Sequence, residues 1–262
     1  MLYFVGWHQA NSGASGTRNF ERCLISINRL LDRVADFVVN DWILDSGAFT
    51  RVTRQHRSKG HLSTRKYAAL ARRWQRCGRL VAVVSQDYMC EPIALAATGL
   101  DVATHQRVTL LRYDNLCKLL DGSGLYVMPI LQGYEPQEYV DHLRLYGDRL
   151  VPGAWVGVGS VCKRNGSPAS LLTVLTAIKL ERPDLRLHGF GLKLTALGCS
   201  GVSALLHSSD SQAHSFACRQ NKYSRSNNDP LGALAYVERV NAVVRFPHSG
   251  KGWGWGGERL HH

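Results

Sequence analysis

The chain has 262 residues, 45% of them hydrophobic, and 32 Lys and Arg against 20 Asp and Glu give a net charge of +12. The length excludes a mini-protein and suits one TIM-type barrel of roughly 250 residues. The basic surface points to a polyanionic partner, nucleic acid first and an anionic membrane second. Seven scattered cysteines without a CxxC pair speak against a disulfide framework or a zinc spacing, and for reduced thiols in a cytoplasmic setting.

The apolar N-terminus is short and lacks a basic leader, so it reads as a first strand, Leu2–Trp7, and not as a signal peptide. No apolar run reaches the ~18 residues of a membrane span. Phe20–Val38 carries apolar residues at helical spacing and is expected to be a helix. Further strands are expected at Trp42–Phe49, Leu80–Tyr88, Leu125–Gln132, Ala154–Val161, Leu187–Lys193 and Ser203–Asp210. Most are continuous apolar runs, the form of strands buried on both faces. Helices are expected at Ser63–Cys77 with Ser63 as N-cap, Val102–Leu120, Pro136–Tyr146 with Pro136 in the first turn, Ser167–Leu180 and Leu231–Val244.

Seven strand-then-helix units predict a parallel sheet, and a closed barrel and an open doubly wound sheet both fit. No eighth strand is visible, because the stretch after Arg219 is polar and reads as a loop. The Gly- and Trp-rich tail, about 246–262, reads as irregular. With no linker or repeat, residues 1–262 are expected to form one domain.

What closes each strand carries the functional signal. The polar closures are Asp45-Ser46-Gly47 and Gln86-Asp87, then Gln132-Gly133, Gly157-Val158-Gly159, His188-Gly189 and Ser209-Asp210. In a barrel these ends share one face, where active sites are built. A single Asp after a strand is commonly a helix N-cap; three on one rim beside a glutamine point to chemistry. Paired carboxylates suit glycosidic bonds, one attacking the anomeric carbon and another moving protons. Cys90 and Cys162 read as packing residues. His207 and His214 read as structural or surface groups, Trp253 and Trp255 as packing of the tail, and Glu91 as a surface residue.

At these positions the chain resembles the tRNA-guanine transglycosylase superfamily, and within it the DpdA-type enzymes that place 7-deazaguanines in DNA. The segments are LDSGAF (Leu44–Phe49), QDYMCEP (Gln86–Pro92), ILQG (Ile130–Gly133), WVGVGS (Trp155–Ser160), LHGFG (Leu187–Gly191) and SSDS (Ser208–Ser211). The resemblance implies a TIM-type (β/α)8 barrel, irregular at its eighth strand. The irregularity is read from the polar stretch after Arg219, while the resemblance implies Asp210 as nucleophile and Asp45 as general base. Asp87, Gln132 and Ser46 would lie at the base edge, with backbone at Gly157 and Gly159 near an exocyclic substituent and Phe49 and His188 sandwiching the ring.

The superfamily's C-terminal zinc-binding segment has no counterpart here, so no metal or cofactor is expected. That absence and the short chain shift the expected polymer from tRNA to DNA, with a free base such as 7-cyano-7-deazaguanine as second substrate and no membrane partner. Arg51, Arg54, Lys163, Arg164, Arg219, Lys222 and Arg225 follow strand ends and are the candidates for DNA backbone contacts. The DNA-modifying branch occurs in phages and bacterial gene clusters, which implies cytoplasmic location (the host's, if phage-encoded) and a link to restriction evasion. The alternatives are a tRNA-acting transglycosylase, a nucleoside N-glycosidase and a non-catalytic nucleic-acid-binding barrel.

Overall fold

A computed structural model describes residues 1–7, 10, 16–53, 60–215 and 229–246. Nine parallel strand segments among them form one sheet in the order β5-β4-β3-β2-β1-β9-β8-β7-β6. They are β1 (Leu2–Gly6), β2 (Arg22–Ser26), β3 (Asp41–Asp45), β4 (Arg79–Val84), β5 (Val127–Met128), β6 (Ile130–Leu131), β7 (Trp155–Val158), β8 (Arg186–Gly189) and β9 (Leu206–Ser211). The two ends of that order, β5 and β6, are halves of one run of chain broken at Pro129, which has no N–H to give a ladder. β5 pairs with β4 and β6 with β7. The ring is therefore a nearly closed TIM-like barrel, joined at its one unsealed seam by the chain itself.

Helices surround the ring: α1 (Ala48–Thr53), α2 (Thr64–Trp74), α3 (Pro92–Thr98), α4 (Val102–Leu120), α5 (Pro136–Tyr146), α6 (Pro168–Glu181), α7 (Leu194–Leu197), α8 (Ser200–Leu205) and α9 (Pro230–Arg245). Ser63 caps α2 by accepting from Lys66 N at 3.2 Å. Glu135 as N-cap and Glu138 in the first turn form a capping box around Pro136 at the start of α5. No helix among the described residues is long and apolar enough to cross a membrane.

The helix expected over Phe20–Val38 is not there. Arg22–Ser26 is instead the strand missing from the sequence reading, pairing with β1 on one side and β3 on the other. Cys23, Leu24 and Ile25 are buried, because this strand is covered by the barrel interior on one face and by the outer layer on the other. Pairing on both edges outweighs the helical spacing of Leu30, Leu31 and Val34. The sequence also carries the last strand too far back, since Ser203–Leu205 belong to α8. Likewise β3 stops at Asp45, and Ala48 and Phe49 open α1.

Alternation along the strands sorts the core into two layers. Phe4, Leu24, Ile43, Ala82, Val84, Met128, Ile130 and Trp155 fill the barrel. Tyr3, Val5, Cys23, Ile25, Trp42, Leu44 and Val83 face outward under the helices. The same pleat builds the site. Two residues past Leu24, Ile43 and Ile130 come Ser26, Asp45 and Gln132, which line the barrel mouth.

Candidate active site

A cavity of about 490 Å³ opens at the C-terminal rim, within the size range of small-molecule sites. Asp45, Asp87, Gln132, Gly159 and Phe49 line it, together with Ser26, Asn28, Arg29, Glu91, Ser160, Cys162 and Phe190. The rim thus gathers side chains from β2, β3 and the turns after β4, β6, β7 and β8.

Asp45 accepts the Gly47 N–H at 3.0 Å, with Ser26 and the Ser46 backbone also hydrogen-bonded to it. Burial and then the negative charge of Asp210 outweigh these donors and push its carboxyl up to about 6. Asp87 is buried deeper and is pushed up to about 7, chiefly by burial and next by the charge of Asp45. Its Oδ1 accepts from Ser46 Oγ at 3.2 Å, and Gln132 Nε2 donates to its Oδ2. Two carboxyls near neutral are suited to proton exchange at ordinary pH.

Gln132 is fixed from both sides. Its backbone N–H donates to His142 Nδ1 at 2.8 Å, and its carbonyl accepts from Gln106 Nε2 at 2.8 Å. Burial pushes His142 down to about 4, so it stays neutral and can accept. Beyond the Gln132 amide lies Ser160 Oγ, at 2.7 Å from Oε1. Ser160 is the one non-glycine residue with positive φ among the described residues, at 56°. It is held there by the Cys90 N–H at 2.8 Å and lies 3.0 Å from Glu91 Oε2. Gly159 must lack a side chain, because a Cβ there would sit 2.2 Å from Gln132 Nε2.

Asp210 is 5% exposed. Its Oδ1 accepts the Gly191 N–H at 3.0 Å. It does not itself line the cavity; Phe190 and Gln212 form the wall on its side. His188, expected against the purine ring, is wholly buried behind Phe190, with ring centroids 4.6 Å apart. The aromatic groups that line the cavity are Phe49, Phe190 and Trp7. Gly157 does not line it either; its missing side chain makes room for Phe190, which a Cβ would meet at 2.4 Å.

The proposed DNA contacts divide. Lys163 Nζ sits 5.7 Å from the ring centroid of Phe49 at the mouth. Arg51 is tied inward by Asn28 Oδ1 at 2.7 Å and the Gly60 carbonyl at 3.2 Å. Arg164 bonds Ser170 and the Tyr134 carbonyl. Arg54, Arg219, Lys222 and Arg225 lie outside the described residues, as do Trp253, Trp255 and residues 247–262 of the tail.

Sequence reasoning missed Ser26, Asn28, Arg29, Ser160 and Phe190. The segment LISINR has the form of the other strand ends, an apolar run closed by Ser26 and Asn28, but Leu30, Leu31 and Val34 continue it at helical spacing and hide that signal. Glu91, expected at the surface, is 3% exposed. Cys90 and Cys162 are pushed up by burial, the latter to about 11, so neither is a thiolate at neutral pH. Among the described residues no three His, Cys, Asp or Glu side chains are grouped to hold a metal.

A parallel barrel with carboxylates and an amide gathered at one rim has the layout of a barrel enzyme, and paired carboxylates suit a glycosidic bond. The model of the DpdA family, DeoxyPurine in DNA protein A, matches residues 15–230. No curated protein matches the chain. The chain belongs to the DpdA family, and it is a DNA-guanine transglycosylase, a base-exchanging glycosyltransferase of 7-deazaguanine DNA modification.

Proposed function

We propose that this site replaces guanine in DNA with a free 7-deazaguanine through an ester on Asp210, with Asp45 moving the protons. The observation that carries the reading is Asp45, lining the cavity with its carboxyl held at about 6 by burial and by the charge of Asp210. A carboxylate of Asp210 forms a bond to C1′ while the C1′–N9 bond breaks and its electron pair leaves with guanine. The acid form of Asp45 gives guanine its proton. The incoming base then loses its N9 proton to Asp45, attacks C1′ and returns Asp210 as carboxylate. Two inversions retain configuration, and no energy source is consumed.

Asp87 and Gln132 fit the base edge. The carboxylate accepts from the N1 and N2 hydrogens, and the amide, whose Nε2 has a second hydrogen, donates to O6. Phe49 and Phe190 supply ring faces. In duplex DNA the target guanine leaves the stack, at a cost of a few kcal/mol. The first incoming base to test is 7-cyano-7-deazaguanine.

The deciding experiment incubates the protein with guanine-containing DNA, without free base, and reads covalent adduct on a denaturing gel. Wild type should give an adduct that free 7-deazaguanine dissolves, and Asp210→Asn should give none. Equal adduct from Asp210→Asn removes the nucleophile assignment. Radiolabelled guanine entering tRNA but not DNA removes the assigned polymer, and abasic DNA as the sole product replaces exchange with hydrolysis.

A further inference from the structure

Behind Phe190 a line of polar side chains crosses the barrel interior, and the exchange chemistry above makes no use of it. Trp155 on β7 donates its indole N–H to Ser208 Oγ at 2.7 Å. Ser208 Oγ lies 2.9 Å from His188 Nδ1. His188 Nε2 lies 3.4 Å from Asp210 Oδ1. Strand register builds the line, since His188 pairs with Ser208 across β8 and β9. The pleat then returns Asp210, two residues on, to the same inner face.

Hydrogen accounting fixes the tautomer. Ser208 and His188 are fully buried, and an indole N–H only donates. Ser208 therefore accepts from Trp155, and its own hydrogen has one acceptor within reach among the described residues, His188 Nδ1. That leaves the imidazole hydrogen on Nε2, which makes no hydrogen bond among the described residues and faces Asp210 Oδ1 across 3.4 Å. The opposite tautomer would strand the Ser208 hydrogen and set an Nε2 lone pair against Asp210, two buried polar penalties at once. Gly191 N donates to Oδ1, and the unpartnered His188 Nε2–H is the next polar group beside the same oxygen. Oδ2 takes no hydrogen bond among the described residues, and 8% of the Asp210 side chain stays accessible.

We propose that His188, locked as the Nε2–H tautomer by Ser208 and Trp155, is a positioning residue that pins Oδ1 of Asp210 and leaves Oδ2 as the attacking oxygen. The proposal rests on Asp210 being the nucleophile. Oδ2 then forms the bond to C1′ as the C1′–N9 pair departs with guanine, and Oδ1 becomes the ester carbonyl. When the incoming base breaks the ester, the negative charge returns to a carboxylate whose Oδ1 accepts from Gly191 N and faces the His188 Nε2–H, which favours its departure.

The test compares three full-length variants at position 188 in single-turnover adduct formation on DNA, with DNA affinity and melting measured beside it. Gln keeps a donor near the Nε2 position, Asn reaches only the Nδ1 position, and Met fills the space without a donor. His188→Met and His188→Asn should slow adduct formation about tenfold, because the carboxylate is no longer held with Oδ2 forward, at unchanged DNA affinity. His188→Gln should recover most of the rate. Wild-type rates in both His188→Met and His188→Asn, or a folded His188→Gln as slow as they are, would overturn the proposal. The tautomer can be read without any substitution, from the 15N chemical shifts of His188 in the intact protein. A hydrogen on Nδ1 overturns the proposal and leaves the nucleophile assignment standing, which fails only if Asp210→Asn still forms adduct.

Discussion

Asp87→Asn should stabilise this protein at alkaline pH while abolishing base exchange. The carboxyl is raised from an ordinary value of 3.8 to about 7 by burial and by Asp45, and Asp87 is 8% exposed. Folding therefore favours the protonated form. The sign follows: this group's stabilising contribution is complete below about 4 and is lost as pH rises through about 7. Its full loss is about 4 kcal/mol, and about 2.5 kcal/mol of that falls between pH 5 and 8. An asparagine has no charge to bury and can still accept from Ser46; its NH2 then faces Gln132 Nε2, a cost independent of pH that cancels between two pH values. Urea unfolding of wild type and variant at pH 5 and pH 8 isolates the effect, because the titrations of all other groups largely cancel in the difference. The variant should gain on wild type by about 2 kcal/mol across that interval. A difference that stays constant within about 0.5 kcal/mol would refute the assignment of a neutral buried carboxyl.

Three further outcomes follow from the same geometry. Gly159→Ala places a Cβ 2.2 Å from Gln132 Nε2, so the KM for the free base should rise about tenfold or more at unchanged DNA affinity; an unchanged KM means Gln132 does not read the base. With Asp45 held at about 6, guanine release, which needs its acid form, should slow as pH rises through about 6, while capture of the incoming base should speed up. Flat single-turnover profiles for both half-reactions would exclude Asp45 as the proton carrier. Lys163→Ala should weaken DNA binding and lower the salt slope by about one, with the choice among free bases unaltered; an unchanged slope removes Lys163 from the DNA interface.

How much was legible in the sequence depends on the range of the forces involved. Asp45, Gln132 and Asp210 were readable because an apolar run must end where the pleat reaches the barrel mouth, and a polar residue at that position stands out locally. β2 was not, because Leu30, Leu31 and Val34 repeat at helical spacing. The strand at Arg22–Ser26 exists only because β1 and β3 offer ladders on both edges. Ser26, Asn28 and Arg29 were lost with it. Burial of Glu91 depends on its contacts with Ser160 and Cys162, partners some seventy positions away that no local pattern encodes. His188 and Phe190 share one parity of their strand, so sequence could place both inward and could not tell depth. Packing decides it, with the imidazole a layer down beside Ser208 and the benzyl ring at the cavity wall.

The charge distribution explains why such a site sits in so basic a chain. The net charge is +12, yet the cavity carries Asp45, Asp87 and Glu91, and Arg29 is the one basic side chain among its described lining residues. A phosphate entering that cavity would meet carboxylates at low dielectric and be repelled. A purine is neutral and presents N–H donors along its N1 and N2 edge, which carboxylates accept. The outer surface and the cavity therefore sort one nucleotide into its parts, with the backbone attracted to the basic exterior and the base admitted inside. The raised values of Asp45 and Asp87 follow from the same design, because burial disfavours the charged form and each lies in the field of another carboxylate, Asp210 and Asp45 respectively. A carboxyl held near neutral, as at Asp45, suits the proton transfers proposed for base exchange.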